Sequence, residues 1–123
     1  MLNILVVAQN LFFLPRIVNV AAPYQYGVKR AESVSRFWNE YSPESTALVL
    51  VDLAGDRKIW TNVITGLVGA SHPRPRIVGF GPHSDVEVLE FASNLGCDKV
   101  LTRGEFSASL SKIVESKGAV ARN

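Results

Sequence analysis

ALVLVDLAG, residues 47–55, is a run of apolar residues that ends on one carboxylate, Asp52, before a leucine, an alanine and a glycine. Consecutive apolar residues without polar alternation are typical of a strand covered on both faces, as in the centre of a parallel sheet. The carboxylate then lies at the carboxyl end of that strand. Ligands and chemistry collect at this edge of open α/β sheets, because loops leave the sheet there and helix N-termini point back at it. Asp52 is therefore the first candidate site residue.

Segments with strand and helix character alternate on both sides of this stretch. Strands are predicted at residues 3–8, 27–31, 47–53, 76–81 and 99–102. The first helix is predicted at residues 14–22, and later helices follow N-caps at Ser33, Asp56, Ser84 and Ser107. Ser84 and Glu87 have the spacing of a capping box. This alternation predicts an α/β fold, a doubly wound parallel sheet with helices on both faces.

Length and composition exclude several classes of protein. At 123 residues, with 47% hydrophobic and 20% charged residues, the chain is one ordinary globular domain, residues 1–118, with a tail at 119–123 that we expect to be flexible. The net charge of +2, without a basic patch, argues against nucleic acid as a partner. No apolar run resembles a signal peptide or is long enough to span a membrane. Together with the single Cys97, these features predict a cytoplasmic protein.

Three strings, in the order of the predicted elements, resemble the receiver domain of two-component response regulators. They are ILVVAQN at residues 4–10, LVLVDLAG at 48–55 and LGCDKVLTRGEF at 95–106. The resemblance covers nearly the whole chain. It implies a three-layer, flavodoxin-like (βα)5 fold with a five-stranded parallel sheet of order 2-1-3-4-5. It also implies a bacterial signalling or phosphorelay role, in which Asp52 matches the aspartate that accepts a phosphoryl group from a histidine kinase.

The sequence departs from the receiver pattern at most positions that phosphorylation uses. Receivers carry two acidic residues after the first strand, because Mg²⁺ needs several oxygen ligands, negatively charged ones first. This chain has Ala8, Gln9 and Asn10 there. The Ser or Thr of the fourth strand is missing from residues 78–81, and Arg103 replaces the lysine after the fifth strand. We therefore predict a degenerate, or pseudo-, receiver with no cofactor, weak or absent Mg²⁺ binding and no enzymatic activity.

The predicted site is the sheet edge at Asp52, with Arg103, His83, Gln9 and Asn10 as further binding candidates. We expect Asp52 to be an ion-pair partner of Arg103 rather than a used phosphoacceptor. Without a metal, the negative charges of the aspartate and of the phosphoryl donor are not compensated. His83 is interpreted as a loop residue that shapes a turn, with contact to a phosphate or a partner as the alternative.

Two classes of function stay open. In the first, the protein is a stand-alone, phosphorylation-independent interaction module of a signalling pathway, and the resemblance implies a partner or homodimer surface at residues 85–114. In the second, Asp52 is a true phosphoacceptor with an unusual metal arrangement, or the edge formed by Asp52, His83 and Arg103 binds a small anion. The two glycines at the end of the fourth strand leave open whether the loop at 79–83 also admits an anion to its backbone N–H groups.

Overall fold

The computed structural model describes residues 1–71 and 73–119. Within these residues, five strands alternate with five α-helices. The strands are β1 (Asn3–Val7), β2 (Gly27–Ala31), β3 (Thr46–Asp52), β4 (Arg76–Gly81) and β5 (Lys99–Thr102). The helices are α1 (Leu14–Ala21), α2 (Val34–Glu40), α3 (Arg57–Val68), α4 (Val86–Leu95) and α5 (Arg103–Glu115), and a short 3-10 helix, Ala22–Tyr24, follows α1. Most of the predicted tail, residues 120–123, lies outside the described residues.

The five strands are parallel and lie in the order β2-β1-β3-β4-β5. Every residue of β3 is buried, because this central strand is covered on both faces, as its unbroken apolar run predicts. The strands end together at one edge: Val7 of β1 pairs with Val51, and Asp52 pairs with Phe80 of β4. The predicted flavodoxin-like (βα)5 fold with sheet order 2-1-3-4-5 is confirmed.

In the described part of the chain, two hydrophobic clusters hold the three layers together. Helices α1 and α5 pack on one face of the sheet, where Ile17 and Leu110 are fully buried. Helices α2, α3 and α4 pack on the other face through Phe37, Trp60 and Ala92. Because alternate residues of a strand point to opposite faces, β3 supplies side chains to both clusters. None of the described helices has the length and apolar character needed to cross a bilayer.

The predicted start of α4 is wrong. The capping box expected at Ser84 and Glu87 is not formed, and the helix begins at Val86 after Asp85, whose side chain makes no capping hydrogen bond. The reason is a competing tertiary contact. The Glu87 carboxylate accepts two hydrogen bonds from the Arg57 guanidinium on α3, at 3.1 and 2.7 Å.

Helix α5 begins earlier than predicted, at Arg103 rather than after Ser107. Its N-cap is Thr102, whose Oγ1 accepts a hydrogen bond from the Glu105 N–H at 3.1 Å. The Glu105 Oε1 in turn accepts one from the Thr102 N–H at 2.9 Å, which completes a capping box. Ser107 lies inside the helix and accepts hydrogen bonds from Arg16 of α1. Because β5 passes into α5 without a loop, Arg103 lies at the carboxyl edge of the sheet.

Candidate functional site

A cleft of about 250 Å³ opens at the carboxyl edge of the sheet. The residues that line it are Asn10, Phe12, Phe13, Asp52 and Arg103. The first three belong to the loop after β1, whereas Asp52 is the last residue of β3 and Arg103 the first of α5. The structure therefore brings three of the candidate residues, Asn10, Asp52 and Arg103, together in one cleft.

Asp52 is buried at the inner end of the cleft, with 4% of its surface exposed. Its Oδ1 accepts a hydrogen bond from the Ala54 N–H at 3.0 Å, in the turn that follows β3. The expected ion pair with Arg103 is not formed, since no ion pair of 4.0 Å or less among the described residues includes either side chain. The turn holds the carboxylate inside the cleft, whereas Arg103 is exposed at its rim.

The Gln9 side chain does not line the cleft but forms hydrogen bonds with the backbone of neighbouring loops at this edge of the sheet. Its Oε1 accepts a hydrogen bond from the Asp56 N–H at 2.7 Å, and its Nε2 donates one to the Glu32 carbonyl at 3.2 Å. Gly55 makes room for this contact, because a Cβ there would lie 2.1 Å from the Gln9 Oε1. The Gln9 side chain therefore joins the loops that follow β1, β2 and β3.

Asn10 shapes the loop above the cleft, since its Oδ1 accepts a hydrogen bond from the Phe12 N–H at 3.0 Å. Of the described residues that line the cleft, Asp52 is the one carboxylate. The described residues contain no group of three or more His, Cys, Asp or Glu side chains that could hold a metal ion. The cleft therefore offers a cation one carboxylate, Asp52, and one amide oxygen, that of Asn10, which already accepts a hydrogen bond.

Arg30 is a site residue that the sequence analysis missed. It lies on the edge strand β2, and its guanidinium donates hydrogen bonds of 3.2 Å to the carbonyl oxygens of Ala8 and Gln9. With Asp52 and Asn10 it lines a narrow inner extension of the cleft. Its place at the site follows from the parallel pairing of β2 with β1, in which Arg30 is opposite Val6. A reader of the sequence could find it only by first predicting that register.

Three aromatic rings pack together beside the site: Phe13 and Phe80 line the cleft or its inner extension, and Phe106 lies buried behind them. The rings of Phe80 and Phe106 are stacked, with centroids 4.0 Å apart and planes 10° apart. The Phe13 ring packs edge-on against both, at 5.3 Å. Such contacts add to the free energy of burial. The end of β4, where the receiver resemblance implies a hydroxyl group, is therefore occupied by packed aromatic side chains.

The glycines of β4 and the candidate His83 take no part in the cleft. A Cβ on Gly79 would lie 3.2 Å from the Leu53 side chain, and one on Gly81 would lie 3.3 Å from it. These glycines therefore make room for Leu53. His83 is exposed in the loop between β4 and α4 and is not among the residues that line the cleft.

Cys97 and Asp98 lie away from the cleft, before the amino end of β5. Burial raises the pKa of the Cys97 thiol to about 12, so it is a protonated packing group. The Asp98 Oδ2 accepts hydrogen bonds from the Ile77 N–H at 2.7 Å and from Arg74 at 2.9 Å. Asp98 thus joins the start of β4 to the start of β5.

Comparisons with known proteins support the fold. No family model and no curated protein matches the sequence. Solved structures match over nearly the whole chain. The receiver domain of the TMAO respiratory system response regulator TorR superposes with a TM-score of 0.77 at 17% identity, covering 94% of this chain and 95% of that one. A response regulator from Thermotoga maritima gives 0.75 at 14% identity, covering 98% and 99%.

A CheY-like protein (TadZ) from Pseudomonas aeruginosa also matches, with a TM-score of 0.71 at 18% identity, covering 98% of this chain and 95% of that one. Together with the five-stranded sheet order, these matches define the fold of the molecule. The chain has the fold of response-regulator receiver domains.

Proposed function

We propose that this protein is a pseudo-receiver, a non-enzymatic signalling domain that acts by binding another protein without phosphorylation of Asp52. The observation that carries the proposal is that Asp52 is the one carboxylate among the described residues lining the cleft. Phosphoryl transfer brings negatively charged groups together, and metal ions neutralise that charge. Gln9 and Asn10 stand where the receiver resemblance implies acidic metal ligands, and both accept hydrogen bonds from backbone N–H groups.

Two further contacts support a site that works in one fixed arrangement. Gln9 joins three loops of the edge through the two hydrogen bonds of its own side chain. Phe80 is stacked on Phe106 at the end of β4, where receivers carry the hydroxyl that responds to the phosphoryl group. This arrangement lacks both the ligands that assist phosphorylation and the hydroxyl that reports it, so we expect the protein to signal through its partner surface alone.

Incubation with acetyl phosphate and Mg²⁺, followed by intact-mass measurement, tests the proposal. We expect no adduct of about 80 Da, the mass of one phosphoryl group, in the wild type or in Asp52→Asn. A phosphorylatable receiver in the same mixture shows that the reagent is active. A wild-type adduct that is absent from Asp52→Asn contradicts the proposal and favours the alternative, in which Asp52 is a phosphoacceptor with an unusual metal arrangement.

For the partner surface we propose the face formed by α4, β5 and α5, residues 85–114, with a second copy of the chain as the first candidate partner. The receiver resemblance implies this face, and it carries one exposed large apolar side chain, Val86 at the start of α4, which is 56% exposed. Ala108 is exposed on α5 of the same face. An arginine at position 108 adds a charge to the proposed interface.

Sedimentation velocity over a range of protein concentrations tests the homodimer. We expect a concentration-dependent dimer in the wild type that Ala108→Arg dissociates. Thr65→Arg, on an exposed position of α3, is the matched control and leaves the dimer intact. A wild type that stays monomeric excludes the homodimer, and equal effects of both variants contradict the proposed face.

A further inference from the structure

Asp52 is a buried carboxylate with one oxygen left for a ligand. Its Oδ1 accepts the hydrogen bond from the Ala54 N–H, and its Oδ2 accepts none from the described residues. The side chain is 4% exposed and lines the cleft. This oxygen is not sealed off, since the described side-chain N and O atoms that are fully buried without a partner are the Tyr41 hydroxyl and the Trp60 indole nitrogen. It is therefore open to the cleft and can accept a hydrogen bond from water or from a ligand.

Arg103 offers the complementary charge on the other side of the same cleft. Its guanidinium forms no ion pair or hydrogen bond with the described residues. Arg103 is also the first residue of α5, whose N-terminus is already capped by Thr102 and Glu105, so the positive charge on this side of the cleft is that of the guanidinium itself. This side of the cleft therefore favours an anionic group.

Phe12 gives the cleft an apolar wall. Its side chain is 79% exposed, and its ring packs edge-on against Phe13 with centroids 5.0 Å apart. A ligand that covered this ring would remove apolar surface from water. The cleft, at about 250 Å³, lies below the range of about 300–1,000 Å³ that is typical for drug-sized ligands, so its ligand is small.

We propose that the cleft binds a small zwitterion with an apolar side group, of which an α-amino acid is the simplest example. The ligand's ammonium group donates to the free oxygen of Asp52, its carboxylate accepts from Arg103, and its apolar group packs against Phe12. The cleft and its inner extension carry one negative charge, Asp52, and two positive charges, Arg103 and Arg30, so a ligand with an ammonium and a carboxylate group can meet Asp52 and Arg103 at once. A ligand carrying both charges satisfies the two residues that the fold holds apart.

A thermal-shift screen of the proteinogenic amino acids, followed by calorimetric titration, tests this inference. For the amino acid that binds best, the matched probes are its decarboxylated amine, its deaminated acid and inorganic phosphate. We expect the amino acid to bind about tenfold or more tightly than each probe, because each probe loses a charge-assisted hydrogen bond. Absence of binding by every amino acid overturns the inference, and so does equally tight binding of phosphate or of either half-molecule.

Variants of the lining residues locate the binding site. We expect Asp52→Asn and Arg103→Ala each to weaken binding about tenfold or more, and Phe12→Ala to weaken it several-fold. Lys99→Ala, an exposed cation at the opposite edge of the sheet, is the control and leaves binding unchanged. Because Phe12 is exposed, Phe12→Ala tests the site even if Asp52→Asn does not fold. Unchanged binding in Phe12→Ala and Arg103→Ala overturns the inference.

This inference rests on the proposed function only in that Asp52 is taken to be unmodified. The two can fail separately. A phosphoryl adduct on Asp52 contradicts the pseudo-receiver, whereas a cleft that binds no zwitterion contradicts the ligand alone.

Discussion

The Gln9 side chain accepts a hydrogen bond from the Asp56 N–H and donates one to the Glu32 carbonyl, partners that lie 47 and 23 residues away along the chain. The sequence identified Gln9 as a neutral residue where receivers carry an acid, and made it a binding candidate. Its actual partners are backbone groups of two other loops, which no local pattern reveals. A carboxylate in place of the amide would keep the acceptor but lose the donor to Glu32.

Gln9→Ala tests this structural role. We expect the variant to lower the free energy of unfolding by about 1 kcal/mol, because two hydrogen bonds are lost at an exposed position. Urea denaturation followed by circular dichroism measures the change. Asn94→Ala, an exposed position on α4, is the control and stays within about 0.5 kcal/mol of the wild type. A Gln9→Ala protein as stable as Asn94→Ala would show that the three-loop link contributes nothing.

At the scale of the elements, the starts of α4 and α5 show when a local capping pattern predicts a helix start and when a tertiary contact overrides it. Ser84 and Glu87 have the capping-box spacing, and so do Thr102 and Glu105. Only the second pair forms the box, because Glu87 binds Arg57 on α3 instead. The caps at Ser33 and Asp56 were predicted correctly, since each side chain accepts a hydrogen bond within its own helix start.

Thr102→Ala and Ser84→Ala form a matched pair that tests the two helix starts. We expect Thr102→Ala to lower the free energy of unfolding by about 1 kcal/mol, because the Glu105 N–H loses its side-chain acceptor. Ser84→Ala, whose side chain caps nothing, should change it by less than about 0.5 kcal/mol. Denaturant unfolding of both variants measures the difference, and equal losses would contradict these helix starts.

Asp98 joins β4 to β5, and its titration makes this link depend on pH. Burial raises the pKa of the Asp98 carboxyl, but hydrogen bonds from Arg74 and the Ile77 N–H lower it further, so the net pKa is below its ordinary value. A carboxyl whose pKa is lower in the folded state stabilises the protein above its unfolded pKa of about 3.9. The stabilisation is lost as the pH falls through the folded-state pKa.

Asp98→Asn therefore has a pH-dependent effect. We expect a loss of about 1–2 kcal/mol in the free energy of unfolding near neutral pH, a value that allows for the partial exposure of the pair. The difference from the wild type should shrink below about pH 4, as the carboxyl protonates. Unfolding curves at several pH values measure it. Asp85→Asn, an exposed carboxyl without a capping bond, is the control, and a loss independent of pH would contradict the role of the Asp98 charge.

At the scale of the whole molecule, the sheet was predictable because its signals are periodic and local. The buried run of β3, the alternation of strands with helices, and the resemblance to receivers gave the five parallel strands and their order. The set of residues that line the cleft, and their contacts, were less predictable. Arg30 reaches the site across the edge of the sheet, and the distance between Asp52 and Arg103 depends on side-chain directions that spacing does not specify.

At this scale, the proposed function depends on the charge at one edge of the sheet. Because Asp52 is the one carboxylate among the described residues of the cleft, we expect this receiver fold to bind Mg²⁺ weakly or not at all. Asn10→Asp is the informative positive control. It adds a second carboxylate to the cleft and keeps the acceptor for the Phe12 N–H.

The most direct test is a titration of ¹⁵N-labelled wild-type protein with Mg²⁺, in which the amide resonances of residues 8–10 and 52–55 are followed by NMR. We predict no saturable shift of these resonances at millimolar Mg²⁺ in the wild type, and saturable binding in Asn10→Asp that is stronger by about tenfold or more. Saturable Mg²⁺ binding by the wild type, lost in Asp52→Asn, would contradict the account.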